Sequence, residues 1–267
     1  TTNDWLERQQ NKLLPVHYFM VTFTLPYELR PLARCQPKAL YQTMFSVAAS
    51  VVKDFAKQKH GGEIGFTTVL HTHSRQRNCH PHLHIIVASG HYNKTRHQWH
   101  KGKSNYLFNA FALAKVWRAR VLDAINKHPT LSLDNLNKMP EKWVVDCKKV
   151  GQGLPALKYL SRYLYRGVLP DKDIIAYDEQ SVTFRYKNST TNKTAQRTLP
   201  VLKFLLLILQ HVLPKGLQRV RDYGVLSSGA KKLRLFIQLL LMPNHNWLTP
   251  NSDVITRASR ICPCCQH

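Results

Sequence analysis

Residues 71–84 read HTHSRQRNCHPHLH, and they leave little choice of local structure. Side chains two apart on a strand share a face, so His80, His82 and His84 point one way only if this segment is extended. His71 and His73 stand in the same relation just before it. Ile85-Ile86-Val87 follows at once, so the strand runs on into a core. Five of the chain's 14 histidines are gathered here. Core histidines satisfied by hydrogen bonds would explain one of them, but five at alternating positions point to a metal site.

A pairing follows from this spacing. With residues 64–73 and 80–88 as an antiparallel hairpin, joined by the polar loop 74–79, His73 lies opposite His80 and His71 opposite His82. Facing Cβ atoms are then about 5 Å apart, and His84 is the next residue along the same face. His71, His82 and His84 are the expected ligands, with His73 and His80 as substitutes for the third. A slip of one residue would move the set to the other face. By ligand type alone, three imidazoles suit zinc or another transition ion.

The surrounding pattern is mixed. Residues 16–24 (VHYFMVTFT) suit a strand buried on both faces. A helix is predicted over 37–59, with Leu40, Met44, Phe45, Val51, Val52 and Phe55 on its apolar side and Gly61-Gly62 where a C-cap belongs. A His-, Lys- and Gly-rich loop (90–104) leads to a second helix, from Leu107 to before Pro129. A fourth strand (142–149) ends at Gly151-Gln152-Gly153, and a third helix opens at Pro155 and runs to Gly167. This order predicts an α+β fold: a split βαβ (ferredoxin-like) core whose antiparallel sheet carries helices on one face. Beyond it lie a hairpin (174–177 and 182–187), two apolar helices (200–212 and 231–242) and a weakly patterned tail from Asn244. The division read from this pattern is a core over 1–170 and a smaller region over 171–267.

Charge narrows the partner. The chain has 39 Lys and Arg against 15 Asp and Glu, a formal net charge of +24 spread along its 267 residues. A body this basic serves a polyanion, because cations that neutralise phosphates release counterions. The longest uninterrupted apolar runs, such as 204–209, fall far short of the roughly 20 residues of a membrane span. Cys35, Cys79, Cys147, Cys262, Cys264 and Cys265 show no disulfide-framework spacing, and the expectation is a cytoplasmic protein. Cys262-Pro-Cys264-Cys265 looks like half a zinc knuckle without its other pair. A chain beginning at Thr1 reads as a fragment or processed form.

The predicted third helix carries a second constellation. Tyr159 and Tyr163 are four apart and stack on one helical face, and Lys158, Arg162 and Arg166 form a basic row beside them. Tyrosines at this spacing are usually packing residues. Beside cations that hold a phosphate backbone and favour the phenolate, they become candidate nucleophiles. No phosphate-cradling Gly-rich loop ending in Lys-Ser/Thr and no His-Glu-x-x-His helix is present.

His82-Leu83-His84 on a strand, with a tyrosine pair on a later helix, resembles the HUH superfamily of single-strand endonucleases. Within it the chain is similar to two-tyrosine, rolling-circle insertion-sequence transposases, relatives of the Helitrons. The matching signatures are residues 23–30 (FTLPYELR), 70–72 (LHT), 80–84, Tyr159-Leu-Ser-Arg-Tyr163, 182–186 (VTFRY), and 211–216 (HVLPKG) leading into 219–224 (RVRDYG).

The resemblance implies that His82 and His84, with His71, hold Mg²⁺ or Mn²⁺ rather than zinc. It implies attack by Tyr159 or Tyr163 on single-stranded DNA at transposon ends, leaving a 5′-phosphotyrosine and a free 3′-OH for transfer to target. Such transposases usually begin with a cysteine-rich zinc-binding module, which this chain lacks in this reading, starting where that module would end; the resemblance also implies action at the bacterial nucleoid. Two other readings stand beside it. One is a replication initiator or plasmid relaxase with the same chemistry, the other a non-catalytic single-strand binding protein.

Overall fold

The computed structural model describes residues 2–74, 78–103, 105–134, 136–164, 169–188, 191 and 193–242. In chain order its elements are α1 (Thr2–Gln10), β1 (Tyr18–Thr24), α2 (Arg30–Cys35), α3 (Pro37–His60), β2 (Gly65–His73), β3 (Cys79–Ala88), β4 (Gly90–Asn93), β5 (Gln98–Lys101), α4 (Ala110–Asn126), β6 (Val145–Lys149), α5 (Leu154–Leu164), β7 (Ile174–Tyr177), β8 (Ser181–Lys187), β9 (Thr194–Pro200), α6 (Val201–Leu209), β10 (Val220–Gly224) and α7 (Lys231–Leu240). The fold is α+β, as the sequence pattern predicts.

The main sheet has the order β10-β2-β3-β1-β6, with every neighbouring pair antiparallel. Apart from β10, its four strands have the split βαβ arrangement: β3 lies between β1 and β2, and β6 pairs with the free side of β1. Alternation along each strand sorts the side chains into two cores. Phe19, Val21 and Phe23 of β1 and Leu83, Ile85 and Val87 of β3 pack with Met44, Phe45 and Val52 of α3 and with Leu113, Trp117 and Val121 of α4. Tyr18, Val69, Ile86 and Ala88 face the other way, onto Trp5 of α1, Leu157 and Leu160 of α5 and Ile237 of α7. The two helices of the split βαβ core, α3 and α4, thus share one face as expected, and α1, α5 and α7 cover the other. Two-sided burial follows from strands that are apolar at odd and even positions alike, which gives each face a surface to cover.

Local signals explain several boundaries. α3 ends at Gly61, whose φ of 69° is left-handed and whose N–H donates to the Lys57 carbonyl. Only glycine enters that conformation at no steric cost. α4 starts at Asn109, whose side chain accepts from the N–H groups of Phe111 and Ala112. The Trp117 indole donates to the Thr24 carbonyl at 3.2 Å, tying α4 to the end of β1.

Several elements depart from the expected pattern. The loop expected over 90–104 contains the β4–β5 hairpin. The expected 174–187 hairpin is extended by β9 into a three-stranded sheet on which α6 rests through Phe184 and Phe204. α1 precedes everything the hydrophobic pattern resolved. β10, from the region placed after residue 170, is hydrogen-bonded to β2 as an edge of the main sheet. Asp222 on β10 accepts from Thr67 and Lys12, each at 2.6 Å, tying that edge to β2 and to the segment after α1. Among the described residues, no helix is long and apolar enough to cross a membrane.

Candidate metal centre and tyrosine helix

The central strands build the site. β2 and β3 pair with His71 opposite His82 and Val69 opposite His84. β1 lies on the other side of β3, placing Thr22 opposite His84 and Thr24 opposite His82. The three imidazoles converge: ring centroids are 5.1 Å apart for His71–His82, 4.6 Å for His71–His84 and 4.9 Å for His82–His84. Each offers a ring nitrogen, and these three atoms lie within 4.8 Å of one another. Bonds of about 2.0–2.2 Å to one ion would need this spread to narrow somewhat.

Second contacts decide which nitrogens face inward. His82 Nδ1–H donates to the His80 carbonyl at 2.7 Å, leaving Nε2 with a lone pair. His84 Nδ1 meets the Thr22 hydroxyl at 3.0 Å, and Nε2 is free for an ion in the tautomer whose Nδ1–H donates to that hydroxyl. Partners of this kind fix tautomer and ring orientation at metal-binding histidines. The donor set is thus three largely buried imidazole nitrogens, and it fits a divalent ion.

The two substitute ligands are placed elsewhere. A register shift between His71 and His73 brings His73 opposite Cys79, not opposite His80 as the regular hairpin predicts. His73 is turned onto His211, with ring centroids 3.6 Å apart. His80 Nδ1 accepts from the Arg30 guanidinium at 3.3 Å. Arginine can only donate, so neutral His80 carries its proton on Nε2 and has no lone pair for an ion.

Burial keeps the triad uncharged. It lowers His71 to about 2, helped by His84, His82 and Arg219. It lowers His84 to about 3, helped by His82. Burial also lowers His82, against the opposing hydrogen bond to the His80 carbonyl. Between these values and the ordinary 6.5 the unfolded chain binds more protons than the folded one, so stability must rise with pH across that window. It is fully present above about pH 6.5 and is lost on acidification. Each such histidine contributes a slope of up to about 1.4 kcal/mol per pH unit. Urea unfolding in EDTA should therefore show the protein several kcal/mol less stable at about pH 5 than at pH 7.5. Equal midpoints and slopes at the two pH values would refute a neutral, buried triad.

α5 crosses the same face of the sheet. Ala156, Leu157 and Leu160, at helical spacing, seat it against the second core. That rotation brings half-buried Tyr159 to the triad, its ring 6.5 Å from that of His84 and nearly perpendicular to it. Tyr163 and Arg162 lie in α5, but their side chains fall outside the described residues. Lys158 is exposed beside Tyr159. Arg166, the three C-terminal cysteines and the tail from Asn244 lie outside the described residues. Sequence reasoning did not find Thr22, although a hydroxyl at an inner position of an otherwise apolar strand was a usable signal.

Sheet, helices and histidines together define an α+β protein with a three-histidine candidate metal centre and a tyrosine-bearing helix beside it. The chain belongs to the family described as "Putative transposase", whose model matches residues 65–234. It is 28% identical over 253 residues to "Putative transposase y4qJ" of Sinorhizobium fredii, covering 86% of this chain and 64% of that protein. It is 26% identical over 249 residues to the transposase for insertion sequence element IS801 of Pseudomonas savastanoi pv. phaseolicola, covering 85% of this chain and 58% of that protein. The chain thus spans about three-fifths of the length of these relatives. A solved structure of the conjugative relaxase TrwC with mutant OriT DNA aligns over 83% of this chain and 71% of that one, at 13% identity and a TM-score of 0.37.

Proposed function

We propose that this chain is the DNA-cleaving and strand-transferring part of an insertion-sequence transposase acting on single-stranded DNA. The observation that carries the reading is the approach of Tyr159 to His84, one member of a three-imidazole cluster. The family membership and a net charge of +24 support a DNA partner.

In this reading His71, His82 and His84 hold one divalent ion, with Thr22 and the His80 carbonyl orienting two of them. Three neutral nitrogens suit Mn²⁺ better than Mg²⁺, which prefers oxygen ligands. When bound, the ion supplies positive charge against the phosphate oxygens as negative charge builds there. The phenolate oxygen of Tyr159 attacks phosphorus, a P–O bond to Tyr159 forms, and the bond to the 3′ oxygen breaks. That oxygen takes up a proton as the free 3′-OH, and the 5′ side stays on the enzyme as a phosphotyrosine. The energy of the phosphodiester is conserved, so the step reverses onto another 3′-OH without a nucleotide cofactor. Tyr163, one helical turn on, is the second acceptor, and Lys158, Arg162 and Arg166 hold the backbone of the strand.

The proposed nuclease unit comprises residues 1–170 together with β10 and α7, with β7–β9 and α6 as the family-specific region. The proposed site of action is the bacterial cytoplasm, at the nucleoid.

The test is covalent capture. The protein is incubated with single-stranded DNA from the element ends flanking its gene, then resolved on a denaturing gel. A shifted covalent band is expected with Mn²⁺ and a weaker one with Mg²⁺, and EDTA should abolish both. No band with either ion would sink the enzyme reading. A band formed on origin DNA but not on element ends would favour a replication initiator or relaxase.

A further inference from the structure

The segment Phe23-Thr24-Leu25-Pro26-Tyr27-Glu28-Leu29-Arg30 has no part in the chemistry above, yet it ends beside the triad. Thr24 is paired with His82, and the Leu25 N–H donates to the Pro81 carbonyl at 3.1 Å. The chain then turns through a short 3-10 helix, Tyr27–Leu29, into α2, which begins with Arg30. Arg30 thereby reaches His80, whose ring lies 5.2 Å from that of His82.

Three features of this corner are unspent. Arg30 makes no ion pair with a carboxylate among the described residues, and its Nε is buried with no hydrogen-bond partner there. A guanidinium with a desolvated, unmatched donor is costly unless an acceptor arrives. His80, held by Arg30 in the Nε2–H tautomer, offers a further donor rather than a lone pair. Tyr27 is 66% exposed while the Arg30 guanidinium lies 4.6 Å from its ring centroid, so much of the ring stays open to a stacking partner.

We propose that Tyr27, Arg30 and His80 form a nucleotide-holding subsite, in which Arg30 and His80 grip a phosphate next to the scissile one and Tyr27 stacks the attached base. Donors without an acceptor, next to an open aromatic face, match one phosphate plus one base of an unpaired strand. In a duplex the base would already be stacked between its neighbours. The subsite takes its ligand from the single-strand reading, but it makes no use of the metal or of Tyr159. It positions the strand and does no chemistry.

Binding without cleavage tests it. The full chain is titrated in EDTA against a short fluorescein-labelled single-stranded oligonucleotide of mixed sequence, and anisotropy is followed across a potassium chloride series. Arg30→Gln keeps an amide donor for His80 but removes the charge. It should reduce the slope of log affinity against log salt by about 0.7, one phosphate contact on a single strand, and Arg30→Lys should keep the slope. A merely structural role for Arg30 would leave it unchanged. Tyr27→Ala should weaken binding at least about 5-fold with no change in slope, while Tyr27→Phe should bind like the parent. Tyr177→Ala, in exposed β7, is the control and should be silent.

An unchanged slope in Arg30→Gln, or a Tyr27→Ala no weaker than Tyr177→Ala, overturns the subsite. Because no cleavage occurs in EDTA, loss of binding in these variants from a protein that never forms an adduct would uphold the subsite and reject only the tyrosine chemistry.

Discussion

Tyr159→Phe is expected to fold, to bind Mn²⁺ and to lose the covalent DNA adduct by at least about 10³-fold, close to 4 kcal/mol of transition-state stabilisation. The substitution isolates the phenolic oxygen. Phe keeps the ring that packs half-buried against the second core and the perpendicular contact with His84. Folding should therefore change by less than about 1 kcal/mol, within the range of a half-buried side-chain swap. Tyr163→Phe, assayed beside it, separates the two phenols. With Tyr159 as the first nucleophile, Tyr163→Phe still captures the first strand and fails only in a second transfer. The reverse pattern would reassign first attack to Tyr163. An adduct that survives in the double variant would remove both tyrosines from the mechanism. Thermal melts and a Mn²⁺ titration on each variant ensure that a lost band reports chemistry and not a collapsed site.

How much of this was legible in the sequence depends on how local each feature is. His80, His82 and His84 alternate ahead of an apolar run, and a period of two followed by a core segment has one structural solution. The His71–His82 pairing followed from it. The neighbouring His73–His80 pair did not, because a register shift between His71 and His73 puts Cys79 opposite His73. Irregularities of one residue leave almost no trace in hydrophobic patterning. The residues that choose among the histidines are remote in sequence: Arg30 lies 50 residues from His80 and Thr22, despite its hydroxyl in an apolar strand, lies 62 from His84. Composition misled over 90–104. His, Lys and Gly read as a loop, yet Tyr92 and Trp99 face each other across the β4–β5 hairpin, and such aromatic pairs outweigh weak intrinsic preference. β10 was the largest omission. Its five residues carry charged Arg221 and Asp222 and no hairpin partner beside them, and their partner on β2 lies about 150 positions earlier.

That distant edge carries the second large effect. Gly224→Ala should destabilise the protein by about 3–5 kcal/mol, a large share of the roughly 5–15 kcal/mol that holds a domain together. Gly224 closes β10 opposite Gly65, with φ at +58°. A Cβ built there would lie 1.8 Å from the Ile64 carbonyl oxygen. The left-handed conformation alone costs alanine about 1 kcal/mol. The clash adds more, because its partner is backbone and cannot swing away like the end of a side chain. Relief requires β10 to part from β2, which would loosen the Asp222 contacts to Thr67 and Lys12 and the hydrogen bond from the Leu70 N–H to the Arg219 carbonyl. Leu70 precedes His71, so the loss is transmitted to the first histidine of the triad. Gly229→Ala is the matched control, since a Cβ there meets nothing within 4 Å. Its midpoint in urea should stay within about 0.5 kcal/mol of the parent. If Gly224→Ala unfolds at the same urea concentration as Gly229→Ala, β10 is a dispensable edge and the histidine strands hold their register without it. If it unfolds early and also binds Mn²⁺ more weakly under conditions where it is still folded, the far end of the chain sets the geometry of the site.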